Sequence, residues 1–368
     1  SRLGNALMNK YGLIAGVMLL GTFSALAADI PSDAAIHALQ AKYAKEWHTQ
    51  NGALTAAPPA PLETFLAALP PSNDASAYDT LSSRDGLARL TQQHVPHRTA
   101  VTRIINTDAR LADRSVPVRI YSPSPDKPAN IIFFIHGGGH LSGSVDVYDP
   151  IARRLAVSSG NTVIAVDYRR APESPYPAGL NDARDVLLQA HALLDEQHIP
   201  WGKQLTLVGD SGGGAFSATL AGDFQQSHPG YISRLVLIYP SLDYTLSWPS
   251  VSENGKGKLL DESKIGWYFS QYFRHNEDRH ALSPLYRSVT QAFPPTLIFS
   301  GGLDPLRDED FAWVARLKAA NVPVKHVHFP GMVHAFLMLD NLAPQQNRQV
   351  YQDITAFVAS GSGVTPFR

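Results

Sequence analysis

A serine hydroxyl attacks a carbonyl efficiently only when three conditions meet: an exposed position, a base to take its proton, and donors for the charge that grows on the carbonyl oxygen. The stretch LTLVGDSGGGAF, residues 205–216, bears on the first. It is a case of G-x-S-x-G, in which Ser211 projects from a sharp turn and Gly209 and Gly213 remove β-carbons that would collide there. The plain alternative is a turn and helix cap. Upstream, His136-Gly137-Gly138-Gly139 supplies a backbone without side chains that can aim N–H groups at one point, and the N–H of Gly212 would complete a three-donor site. That string also has plain readings: a glycine turn, or a metal pair formed by His136 and His140, four residues apart. The metal spacing helps only on a helix, and glycines are poor helix formers.

The acid and the base have several candidates. Asp304 stands in GGLDPLRDED beside Asp308, Glu309 and Asp310, and His334 stands in PGMVHAF downstream of His326 and His328. Position relative to the elements separates them. From residue 31 to about 99 the pattern is helical and Ala-rich, broken by APPAP and ALPPSND. From about 101 it changes to short β-branched runs, VTRIINT and VPVRIYS, and then to the wholly apolar IIFFI. Strands and helices then alternate: a helix over 147–159, the strand TVIAVDY, a single helix over 177–197, the strand QLTLV, a helix from near Ser211 and the strand RLVLIYP. Such alternation predicts a mostly parallel sheet buried on both faces.

Between 241 and 294 the alternation stops at an aromatic-rich helical segment, ESKIGWYFSQYFRH, and resumes with PPTLIFSGG, a helix, VKHVHF and a closing helix over 343–359. Asp304 therefore follows a strand end, where sites form in α/β sheets. Asp308, Glu309 and Asp310 open the next helix, where carboxylates favour the dipole. His334 follows the last strand, while His326 and His328 lie within it and are expected to face packed neighbours or solvent.

The string GDSGG also occurs in chymotrypsin-like proteases, but there it sits in a β-barrel with His and Asp upstream. Here a strand and a helix flank it, and the order is Ser, Asp, His. The chain resembles the hormone-sensitive-lipase-like family of carboxylesterases, which includes bacterial acetyl esterases. The resemblance rests on HGGGH at 136–140, DYRRAPESPYPA at 167–178, GDSGGG at 209–214, DPLRDE at 304–309 and VHAF at 333–336, and it covers about residue 101 to the C-terminus. It implies an α/β-hydrolase fold, a triad of Ser211, Asp304 and His334, and oxyanion donors at Gly138, Gly139 and Gly212. It also implies hydrolysis of short-chain esters with no metal or organic cofactor. Three positions depart from the family pattern: Gly212 for a usual Ala, Arg170 for a usual Leu and Ala335 for a usual Gly. The block from Asp167 to Glu173 is expected to brace loops rather than supply a second acid.

The chain has 368 residues, Lys+Arg 31 against Asp+Glu 32, and no cysteine. That balance gives no electrostatic reason for a nucleic-acid or membrane-surface partner, so small uncharged or weakly charged substrates are expected; the resemblance implies that the small-molecule substrate is an ester. Without disulfides the fold depends on its core. Residues 1–27 read as a secretory signal: a basic start at Met8-Asn9-Lys10, the apolar run GLIAGVMLLGTF, and Ala25-Leu26-Ala27 as the cleavage site, with residues 1–7 as an upstream remnant. The run is short for a membrane span, so the mature protein is expected to be exported, periplasmic or secreted. The expected organisation is a helical cap segment over 28–99 and a catalytic domain over 100–368 carrying a cap insertion at about 241–290. A lactonase or amidase would use the same residues, and a non-catalytic receptor on this fold would be expected to lack a triad member.

Overall fold

The computed structural model describes residues 33–50 and 53–359, so the expected signal at 1–27 lies outside the described residues. In chain order the elements are α1 (Asp33–Gln50), α2 (Ala60–Ala67), α3 (Thr80–His94), β1 (Arg103–Arg110), β2 (Ser115–Ser122), β3 (Ala129–Ile135), α4 (Asp149–Ser159) and β4 (Thr162–Val166). Then come α5 (Ala178–Leu188), α6 (Ala190–Glu196), β5 (Trp201–Asp210), α7 (Gly212–Ser227), β6 (Arg234–Ile238), α8 (Pro249–Glu253), α9 (Glu262–Tyr272) and α10 (Arg279–Leu282). The chain closes with β7 (Thr296–Gly301), α11 (Arg307–Ala319), β8 (Val324–Phe329) and α12 (Pro344–Val358).

Side chains alternate across a strand, so a run that is apolar at every position needs cover on both faces. In β3, Ile131, Phe133 and Ile135 enter one core while Ile132 and Phe134 enter another. In β6, Leu235 and Leu237 join the first core, Val236 and Ile238 the second. Helices α5, α6, α7 and α11 supply the first core with residues such as Ala183, Leu194, Phe216 and Trp313. Helices α4 and α12 cover the second, α12 through Val350, Tyr351, Ile354, Phe357 and Val358, one stripe at the 3.6-residue period.

The strand order is β1-β2-β4-β3-β5-β6-β7-β8. The β1/β2 and β2/β4 pairs are antiparallel, and every pair from β4/β3 onward is parallel. The expected mostly parallel sheet with helices on both faces is present. Two details differ. The single helix expected over 177–197 is interrupted at Gln189, whose ψ of 2° opens the helical ladder, although the apolar stripe Ala183, Val186, Ala190, Leu193 runs through the break. Among the described residues none from α1 lines the cavity described below: Tyr43, Ala44 and Trp47 join the first core, with Trp47 stacked on Trp248 and Phe311. No helix among the described residues is long and apolar enough to cross a membrane.

Candidate active site

The segments that follow five parallel strands, β3, β5, β6, β7 and β8, converge on one cavity of about 470 Å³. Ser211 follows β5 directly and has φ 51° and ψ −118°, a strained conformation for a residue with a β-carbon. It is held by its own N–H to Ile238 O at 2.9 Å and by Ser241 N–H to its carbonyl at 3.0 Å. The two flanking glycines have the expected steric reason. A β-carbon on Gly209 would stand 2.2 Å from Gly213 O, and one on Gly213 would stand 2.0 Å from Ile135 O at the end of β3. The turn is thus pressed against a neighbouring strand as well as against itself.

The Ser211 hydroxyl lies 2.7 Å from His334 Nε2, and His334 Nδ1 lies 2.8 Å from Asp304 Oδ2. A ring nitrogen facing a carboxylate carries the proton, so Nε2 is left as the acceptor for the serine O–H. Asp304 is fully buried, and its other oxygen accepts the Leu306 N–H at 2.8 Å. The Tyr239 ring meets the imidazole edge-on at 4.8 Å. This chain of bonds lets the hydroxyl proton pass to an imidazole whose positive form a fixed carboxylate stabilises.

Gly138, Gly139 and Gly212 border the same cavity beside Ser211. Among the described residues their N–H groups donate to no other backbone oxygen outside helices and strands, and Gly212 opens α7, where the first amides have no helical partner. The Tyr268 ring lies on Gly139 so closely that a β-carbon there would come within 2.5 Å of it.

His136 and His140 diverge. His136 stacks on Tyr168 at 4.3 Å and holds the Gly137 carbonyl, and His140 stacks on Phe216 at 4.3 Å with its Nε2 on the Tyr244 hydroxyl. Burial pushes the first down to about 4 and the second to about 3, so both rings are neutral at pH 7. His326 and His328 both meet Ser300 Oγ at 2.6 Å and pack edge-on to Phe311, outside the cavity lining.

The dipole account of Asp308, Glu309 and Asp310 needs correction, because all three are fully buried. Asp308 accepts the Ser250 N–H, and Glu309 accepts those of Leu242 and Asp243, so the first turn of α11 fastens the 241–250 segment to the sheet. Neither carboxylate oxygen of Asp310 has a hydrogen-bond partner among the described residues. Burial, with Asp304, Glu309 and Asp308 nearby, raises Asp310 well above the usual carboxylate range.

Three contributors were not found by sequence reasoning. Asp210 lies inside GDSGG itself; its Oδ1 accepts the Gly137 N–H and its Oδ2 the Tyr148 O–H, both at 2.8 Å, which ties the HGGG loop to the serine turn. Burial pushes Asp210 up to about 6, against those two bonds and the nearby His334. Arg84 on α3 donates to Leu141 O at 2.9 Å and Ala171 O at 3.0 Å while pairing with both oxygens of Glu173. It therefore connects the helical segment to the loop that follows Gly138 and Gly139. Lys264 on α9 lines the cavity. The block from Asp167 to Glu173 braces loops as expected: Asp167 holds Val145 N, and Arg170 donates to Gly143 O at 2.7 Å. Ala335, in place of the glycine usual in the resembled family, has φ 65°.

The opposite wall comes from Ser82, Ser83, Leu87 and Leu90 on α3 and from Leu259, Leu260, Lys264, Ile265, Tyr268 and Phe269. The aromatic residues of the 267–273 stretch divide: Tyr268 and Phe269 line the cavity, whereas Trp267, Tyr272 and Phe273 pack in the core without lining it.

A family described as "alpha/beta hydrolase fold" matches residues 132–338. The chain is 34% identical over 253 residues to an ethyl acetate hydrolase of Pseudomonas putida, covering 66% of this chain and 78% of that protein. It is 30% identical over 286 residues to the carboxylesterase NlhH of Mycobacterium tuberculosis, covering 72% and 86%. Its structure is similar to that of a hyperthermophilic esterase from Pyrobaculum calidifontis, with TM-score 0.75, 27% identity, and coverage of 82% of this chain and 98% of that one.

Proposed function

The chain belongs to the hormone-sensitive-lipase-like family of α/β-hydrolases and is a carboxylic ester hydrolase; on that premise we propose that Ser211, His334 and Asp304 carry the reaction on short-chain esters. The observation that supports this reading is the unbroken pair of hydrogen bonds from Ser211 Oγ to His334 and from His334 to Asp304 at the floor of the cavity. His334 takes the hydroxyl proton as Ser211 attacks the ester carbonyl. The amides of Gly138, Gly139 and Gly212 hold the tetrahedral oxyanion. His334 then protonates the leaving alcohol, and an acyl-enzyme remains. Water, deprotonated by the same imidazole, releases the acid and restores Ser211. Asp304 keeps the imidazole in the required tautomer.

Support for short acyl groups comes from Tyr268 and Phe269 in the wall and from the modest cavity volume. Each methylene that finds apolar room gains about 0.8 kcal/mol, and one that meets a ring gains nothing and displaces the carbonyl. The test is a p-nitrophenyl ester series measured below the micelle limit. The specificity constant should peak between acetyl and about hexanoyl, and a maximum at dodecanoyl or longer would overturn the short-chain assignment. Export is proposed on the strength of the sequence pattern at residues 8–27 alone. N-terminal analysis of protein from the native host should begin after Ala27, and retention of Lys10 would contradict it.

A further inference from the structure

Most of the wall facing Ser211 is apolar, contributed by Leu87, Leu90, Leu259, Leu260 and Phe269, and among the described lining residues Lys264 is the only lysine or arginine. Its ammonium bonds to Ser83 Oγ and stands 4.6 Å from the Tyr78 ring centroid, 5.1 Å from that of Trp267 and 5.2 Å from that of Tyr268. These rings accept positive charge on their faces. They do not supply an anionic oxygen. Among the described residues no carboxylate lies within ion-pair distance of Lys264. The acid that acts on it, Asp79, is solvent-exposed and already accepts the Ser82 N–H as the cap of α3.

An ammonium has three N–H donors, and a hydroxyl takes one. Burial holds Lys264 below the ordinary lysine range, so its charged form is under-solvated in a wall of leucine and aromatic side chains. A ligand carboxylate is the group that would relieve that cost, through a charge-assisted hydrogen bond. If the lysine served only to bolt α3 to α9, its charge would need only the rings and Ser83. Lys264 lines the same cavity as Ser211, which puts it beside the space a substrate would fill.

We propose that the substrate is an ester carrying a second, anionic group, and that Lys264 binds that carboxylate while Ser211 attacks the ester. This rests on the reading of Ser211 as nucleophile. The carboxylate can belong to the acyl or the alcohol part, and paired substrates separate the two. Ethyl hydrogen glutarate is compared with its neutral isostere ethyl 4-carbamoylbutanoate, and 4-acetoxybutanoate with 4-acetoxybutanamide, following acid release by chromatography. In one pair at least, kcat/KM should favour the carboxylate by about ten- to a hundredfold, the range of a charge-assisted hydrogen bond. Lys264→Met should abolish the ratio and Lys264→Arg should retain most of it.

The readout is the ratio, so a uniform change in rate does not mimic it. Ratios at or below one in both pairs, or a ratio unchanged in Lys264→Met, overturn the proposal. Should Lys264→Met fail to fold, salt decides on the wild type: the preference must fall as ionic strength rises, and a salt-independent preference overturns it. Calorimetric binding of ethyl hydrogen glutarate and its amide isostere to Ser211→Ala reads the subsite without turnover. Preferential carboxylate binding there, with no hydrolysis of any ester by the wild type, would sink the nucleophile assignment and leave the subsite standing.

Discussion

The two walls of the cavity are built by different means. On the sheet side every proposed catalytic group follows a strand end at short range: Gly138 and Gly139 after β3, Ser211 after β5, Asp304 after β7 and His334 after β8. Parallel pairing from β4 to β8 fixes those ends relative to one another before any side chain is considered. The cap side is made of α3, α9 and the turn before α9, whose mutual positions depend on side chains such as Ser83 against Lys264 and Tyr78 against Trp267. The proposed chemistry sits on the wall that the backbone hydrogen bonds define. The proposed discrimination between substrates sits on the wall that packing defines, where a change of packing should leave the reaction itself intact.

If that division is right, the largest losses come from the sheet side. Ser211→Ala and His334→Ala should each lower kcat by roughly ten-thousandfold or more, with the double variant hardly worse, since the groups act as one unit. Asp304→Asn should fall by about as much, because the amide no longer holds the tautomer. Asp308→Asn should instead leave kcat within about an order of magnitude and cost about 1–3 kcal/mol of stability, as its partners are Ser250 and Arg307. Steady-state rates with urea unfolding on the same preparations separate the two outcomes. Severe loss in Asp308→Asn with mild loss in Asp304→Asn would reverse the acid assignment.

A smaller effect tests whether the walls are independent. Arg84 belongs to the cap side but holds Leu141 O, three residues beyond Gly138. Arg84→Met should lower kcat about ten- to a hundredfold, less than or comparable to removing one oxyanion donor, with little change in KM for p-nitrophenyl acetate. Glu173→Gln should do much less, because Glu173 is largely exposed and surface pairs contribute at most about 1 kcal/mol. A KM effect alone in Arg84→Met would confine Arg84 to substrate binding.

Asp310, buried in the first turn of α11 behind the sheet-side wall's Asp304 loop, gives a test through pH. Its carboxyl is raised in the folded state, so the protein holds a proton there that the unfolded chain releases above about pH 4. The stability this proton contributes is complete below that value and is lost as pH rises, by up to about 1.4 kcal/mol per pH unit. Asp310→Asn removes the dependence, so its stability relative to wild type should increase from pH 5 to pH 7. Equal differences at both values, read by urea unfolding, would show that Asp310 is not held protonated. The smallest effect belongs to Ala335: Ala335→Gly should stabilise by about 1 kcal/mol by relieving the left-handed backbone beside His334.

The same contrast explains what could be read in advance. Ser211, Asp304, His334 and the three glycines lie in strings of five to seven residues whose flanks already read as strand and helix, so local pattern sufficed to place them. Asp210 stood inside one of those strings, but its partners Gly137 and Tyr148 are more than sixty residues away and nothing local signals them. Arg84 and Lys264 became functional candidates only when α3 met the 141–171 loops and α9, contacts that no periodicity encodes. Asp308, Glu309 and Asp310 were misread for a related reason. Carboxylates in a first helical turn have a sufficient local explanation in the dipole, and only tertiary structure shows that all three are buried and that the 241–250 segment bonds to Asp308 and Glu309.

The central claim is that Ser211 is an activated nucleophile, and covalent labelling tests it most directly. The protein is treated with a fluorophosphonate, and adduct mass, modified peptide and residual esterase activity are measured on the same sample. The account predicts one phosphonyl group per chain, on Ser211, with activity falling in proportion to labelling and no adduct in Ser211→Ala or His334→Ala on the same timescale. An active enzyme that takes up no label would contradict it, as would an adduct on Ser83 or Ser241, which share the cavity.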